Sequence, residues 1–143
     1  MKRVLVDMFE VLEHSADVGF RAWGANVREL FASAADALVA LAMEPDGIEV
    51  RERVELSADG DSLESLLVNW LSEVLYYIDG RRLALQRFDV IDVADGRVSG
   101  VTWGEPRDKQ RHPARLVVKG ITYHQLKIEQ TGKGWMCEVF VDV

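Results

Sequence analysis

Three stretches of this 143-residue chain bring together side chains that could do chemistry. The first is His14-Ser15-Ala16-Asp17, set between two apolar runs. Ser and Asp in such a corner can simply bond nearby backbone groups and make the turn. An acidic residue at a strand end beside a histidine can equally ligate a cation or orient a partner. The second stretch, 104–124, holds Glu105, Asp108, His112, Lys119, Tyr123 and His124. Within it, residues 105–119 carry an excess of three positive charges, and Arg107 to Arg111 read as a solvated loop. Lys119, Thr122, Tyr123 and His124 crowd into six positions and are harder to dismiss in that way.

The third stretch is the end of the sequence. Alternation over 135–143 places Met136, Glu138, Phe140 and Asp142 on one strand face and Cys137, Val139 and Val141 on the other. The Asp142 side chain and the α-carboxylate of Val143 then lie within one residue of each other. Two adjacent carboxylates repel unless a cation sits between them. Hard oxygen donors of this kind suit Ca²⁺ or Mg²⁺ rather than zinc. A strand carried to the last residue points to a docked end, because chain ends usually fray in water. Asp17 would supply a third carboxylate, but nothing in the spacing places it nearby.

Other chemistries lack their motifs. The sequence has no GxxxxGK[ST], no GxGxxG after a strand, no GxSxG and no HExxH. Its one cysteine, Cys137, excludes an internal disulfide and a CxxC site, and its alternating apolar strand makes it a small core residue. Lys and Arg number 17 against 24 Asp and Glu, a net charge of −7, which argues against direct nucleic-acid binding. The first twelve residues mix charge with short apolar runs, unlike a signal peptide. Nowhere is there the run of about 18 apolar residues that a membrane span needs. The expectation is a cytoplasmic protein of one domain, 1–143, monomeric or weakly self-associating.

The elements that must position these groups follow from periodicity. Residues 9–12 and 18–23 read as strands around the polar corner. Asn26 and Glu29 have capping-box spacing, and Val27, Leu30, Phe31, Ala34, Leu38 and Leu41 form a helical stripe stopped by Pro45-Asp46-Gly47. Residues 48–57 alternate as a half-buried strand. Asp61 and Glu64 repeat the capping spacing before a second apolar stripe from Leu63 to Ile78, ended by Asp79-Gly80. Strands are expected at 88–93 and 97–103 about Asp95-Gly96, then at 116–118, 122–129 and 135–143, with Gly132-Lys133-Gly134 closing the last hairpin. This order predicts an α+β layered sandwich of mostly antiparallel sheet with two amphipathic helices packed on one side.

At the three clusters the sequence resembles the archease family. His14-Ser15-Ala16-Asp17-Val18-Gly19, continuing to Gly24, is similar to that family's H-T-A-D-x-G-x-x-x-x-G, with Ser15 keeping the hydroxyl of the usual Thr. Leu30-Phe31 and the alanine-rich helix resemble L-F-x-x-A-A, and residues 67–76 resemble L-L-x-x-W-L-x-E-L-L-Y. Gly104-Glu105 with His112 follows. Lys119-Gly120-Ile121-Thr122-Tyr123-His124 then resembles K-A-x-T-Y-H with Gly120 for Ala, and the chain ends in Asp142-Val143.

The resemblance implies a non-enzymatic activator of the GTP-dependent RNA-splicing ligase, one that promotes ligase guanylylation and repeated turnover. It implies a divalent metal, calcium ahead of magnesium, held by Asp17, Asp142 and Val143. His14, Lys119, Tyr123 and His124 would flank the metal as partner-facing or supporting residues. Two other readings use the same residues: a small metal-dependent hydrolase with His14 or His124 as base, and a general chaperone or modulator of RNA-processing enzymes.

Overall fold

The structure is a computed structural model that describes the backbone of residues 8–14 and 17–143 and the side chains of 8–12 and 18–143. Two antiparallel sheets carry the described strands. In the first, β1 (Phe9–His14) and β2 (Asp17–Gly24) form a hairpin. β2 pairs in turn with β8 (Gly134–Asp142). The other edge of β8 is shared by β6 (Gly120–Ile121) and β7 (Lys127–Thr131). The second sheet is β3 (Glu52–Asp59), β5 (Arg97–Pro106) and β4 (Leu83–Ala94), with β5 in the middle. Two helices, α1 (Val27–Ala42) and α2 (Leu63–Leu75), complete the α+β sandwich that the periodicity predicts. None of the described helices is long and apolar enough to cross a membrane.

Both helices begin where side chains replace the missing backbone acceptors. Asn26 Oδ1 accepts from the Glu29 N–H at 2.9 Å. For α2 the cap is Ser62 rather than the expected Asp61. Ser62 Oγ accepts from the Ser65 N–H and Ser65 Oγ accepts from the Ser62 N–H, each at 3.0 Å. A hydroxyl pair thus does what a carboxylate pair was expected to do.

The helices bury their stripes together. Leu30, Phe31, Leu38 and Leu41 of α1 meet Leu67, Trp70, Leu71 and Val74 of α2 in one core with Phe20, Ala22, Cys137 and Val139 of the first sheet. Trp70 is fully buried; its indole N–H donates to the Phe31 carbonyl at 3.0 Å and its ring meets Phe88 edge-on. After Leu75 the helix widens into a π-helical turn, Tyr76–Gly80, so the stripe ends one turn differently from a plain α-helix.

Three expected strands differ. The 48–57 strand starts only at Glu52. Gly47 has a left-handed φ of 87°, and 49–51 are tied to β5 singly instead of in a ladder. There the Glu49 N–H donates to the Glu105 carboxylate and the Arg51 N–H to the Gly104 carbonyl. Residues 116–118 join no strand, because the preceding segment bonds to the end of α1 through the Arg115 N–H and Ala42 carbonyl. Residues 122–129 are split by a turn in which Gln125 has φ 52° and the Leu126 N–H reaches the Tyr123 carbonyl.

Candidate functional site

The end of β8 is gripped from both sides. On one, the Lys119 N–H donates to the Asp142 carbonyl at 2.7 Å, and Gly120 pairs with Asp142. Further along, both the N–H and the hydroxyl of Thr122 donate to the Phe140 carbonyl at 3.1 Å. The His124 N–H donates to Thr122 Oγ1 at 3.2 Å, and the His124 ring meets the Phe140 ring edge-on with centroids 6.4 Å apart. Phe140 and Asp142 share a face of β8 by strand parity. This segment therefore brings His124 to the face that carries Asp142.

On the other side, β2 runs antiparallel to β8 with Val18 opposite Val141 and Gly19 opposite Phe140. Continued by one residue, that register sets the backbone position of Asp17 across from Asp142. Gly19 makes the approach possible. A Cβ there would lie 2.1 Å from the Val139 carbonyl oxygen and 2.8 Å from the Phe140 ring. The expected residues His14 and Asp17 are placed here only by their backbone. Their side chains, and all of Ser15 and Ala16, lie outside the described residues.

Lys119, Tyr123, His124, Asp142 and Val143 are all exposed, Tyr123 by 58%. The Asp142 carboxylate forms no hydrogen bond or ion pair among the described residues. Among those residues no three His, Cys, Asp or Glu side chains cluster as metal ligands. The tip thus offers one exposed carboxylate, with no cationic partner among the described residues, next to a second backbone position that carries Asp.

The 105–112 part of the second stretch forms a separate, structural network. Glu105 is 1% exposed, and Arg111 donates to it with both guanidinium nitrogens, at 3.0 and 2.8 Å. His112, equally buried, sits 2.9 Å from the same carboxylate through Nε2. Its Nδ1 accepts from the Asp108 N–H, so Nε2 carries the proton and donates to Glu105. The Arg111 bonds first, then the Glu49 N–H and the His112 bond, hold the Glu105 carboxyl down at about 2 against the opposing effect of burial. Arg111 is therefore pinned, although the loop around it (Asp108, Lys109, Gln110) is exposed as expected. Cys137 is buried as expected, and desolvation pushes its thiol up to about 12, which removes it as a nucleophile.

Comparison with known proteins decides the family. The model described as "Archease protein family" matches residues 9–143. The chain belongs to the archease family. It is 38% identical over 136 residues to "Protein archease" of Sulfurisphaera tokodaii, covering 94% of this chain and 98% of the relative. "Protein archease" of Methanopyrus kandleri is 37% identical over 138 residues, covering 94% and 99%. The solution structure of Methanobacterium thermoautotrophicum Protein 1598 superposes with a TM-score of 0.78 at 29% identity, covering 96% of this chain and all of that one. The family match thus spans both halves of the tip, from β1 and β2 to Asp142 and Val143.

Proposed function

We propose that this archease-family chain activates the GTP-dependent RNA-splicing ligase without being an enzyme itself, by presenting an acidic, metal-holding tip to the ligase. The supporting observation is the placement of Asp142. It is exposed, clamped through its backbone by Lys119 and Gly120, and faces the Asp17 position across the Val18–Val141 register. Asp17, Asp142 and the carboxylate of Val143 would hold a divalent cation, Ca²⁺ ahead of Mg²⁺. Such an ion supplies fixed positive charge for oxygen ligands.

The chain's own residues supply the rest. The β2 and 119–124 segments set the spacing of the carboxylates. Lys119, Tyr123 and His124 stand exposed around them, with His14 on the adjoining strand, as the surface a partner would meet. A net charge of −7 favours rapid encounter with a basic RNA-binding enzyme. In this reading the protein promotes ligase guanylylation and repeated turnover, in the cytoplasm, while leaving the RNA to its partner.

The test is ligation of an RNA carrying a 3′-phosphate to one carrying a 5′-hydroxyl, with the cognate ligase limiting. Adding the protein should convert a single round into many. If the isolated protein instead released phosphate or nucleoside from such RNAs, the hydrolase reading would replace this one.

A further inference from the structure

A pocket of about 510 Å³ opens between the π-helical turn and the 107–118 segment, with none of Lys119, Tyr123, His124 or Asp142 in its lining. Its volume is that of a small-molecule site. Leu75, Ile78 and Leu116 line the apolar part. Arg82, Arg107 and Lys109 supply three cations at its wall against one carboxylate, Asp79.

The fold sets the two arginines side by side. Leu83 pairs with Pro106 at the end of the β4–β5 ladder, and the Arg107 N–H donates to the Arg82 carbonyl at 2.9 Å just beyond it. Arg82, two residues beyond the π-helical turn, adopts a left-handed φ of 57°, a conformation unfavourable for a side-chain-bearing residue. Arg21, Arg53, Arg97, Arg111 and Arg115 all pair with carboxylates. Arg82, Arg107 and Lys109 form no ion pair among the described residues, in a chain with a surplus of acid. Burial and the neighbouring Arg82 charge lower the Arg107 pKa, with Asp79 opposing. His112 adds wall and no free donor, since Glu105 and the Asp108 N–H occupy both ring nitrogens.

We propose that this pocket binds a phosphate-bearing small molecule of nucleotide size, its phosphates on Arg82 and Arg107 and its less polar part against Leu75, Ile78 and Leu116. Guanidinium groups fit phosphate oxygens in bidentate fashion, and Lys109 adds a mobile point charge. An arriving anion relieves the repulsion between the two arginines, and the apolar lining separates a nucleotide from a bare phosphate.

Calorimetric titration of the full chain with ADP and with inorganic pyrophosphate tests this. Wild type should bind ADP at least about tenfold more tightly than pyrophosphate. Arg82→Gln/Arg107→Gln, and more mildly the exposed Lys109→Gln, should weaken both probes, while Asp142→Asn binds as wild type does. That last arm separates this pocket from the tip, so either assignment can fail alone. Equal affinity for the two probes would overturn the nucleotide assignment. No saturable binding up to about 10 mM, or binding unaffected in both the double and the Lys109 variants, would overturn the site itself.

Discussion

Lys119 donates its backbone N–H to the Asp142 carbonyl at 2.7 Å, so the acidic residue at the end of β8 is held by the segment that also carries Tyr123 and His124. Because the clamp is made by backbone, changing the side chain leaves it in place. Asp142→Asn should therefore change stability by no more than about 0.5 kcal/mol. If the tip holds Ca²⁺ as proposed, the ion should raise the melting temperature of wild type, by an amount corresponding to about 2.7 kcal/mol at a hundredfold excess over Kd, and the same variant should lose that rise. Thermal melts with and without the ion check both halves.

Two glycines near the tip should respond oppositely. A Cβ at Gly120 meets the Asp142 carboxylate only at 3.9 Å, an ordinary contact, so Gly120→Ala should be neutral or stabilise by up to about 1 kcal/mol. Gly19→Ala pushes into the Val139 carbonyl and the Phe140 ring and should cost about 1–3 kcal/mol. Urea midpoints of the two variants distinguish them.

Glu105 makes stability depend on acid. Its carboxyl is held at about 2 in the fold against an ordinary 4.5. The stabilisation from its ionised form is thus complete above about 4.5 and is lost as pH falls toward 2. Glu105→Gln should melt lower than wild type at neutral pH, because Arg111 and His112 lose their charged acceptor, and should lack this acid limb. Melting curves between pH 2 and 7 provide the comparison.

Asp36 acts in the opposite sense. Burial on α1 first, then the charge of Asp89, raises its carboxyl from 3.8 to about 7. A raised carboxyl favours the fold below 3.8 and withdraws that stability as pH climbs through 7. Asp36→Asn should remove the decline and melt above wild type at pH 8 while matching it near pH 4. An unchanged slope in the variant would contradict the assignment.

Trp70 joins the two helices through the Phe31 carbonyl and reaches the second sheet at Phe88. Trp70→Ala should cost about 3–5 kcal/mol, measured by chemical unfolding.

Local patterns of the sequence carried most of the fold. The apolar stripes of α1 and α2 repeat every three to four residues, and Asp95-Gly96 closes the β4–β5 turn with left-handed φ at both positions. The parity of β8 placed Cys137, Val139 and Val141 inward, as found. The register of Val18 on Val141 was not legible, because pairing between residues so far apart in sequence leaves no local signal. Nor was the role of Arg111. The Asp108 side chain accepts from the N–H groups of Gln110 and Arg111 and turns the loop back onto Glu105, so an exposed run carries one side chain pinned on a buried carboxylate. The break within 122–129 leaves no local signal, since Gln125 is not a residue type that announces a left-handed turn.

The measurement that bears most directly on the proposed activator is single-turnover guanylylation of the cognate ligase by GTP, followed with no added protein, with wild type, and with Asp17→Ala or Asp142→Ala. Wild type should accelerate formation of the ligase–GMP adduct, and both variants, folded by their melting curves, should return the rate at least about tenfold toward that of ligase alone. Equal acceleration by wild type and by both variants would contradict the acidic tip as the activating element.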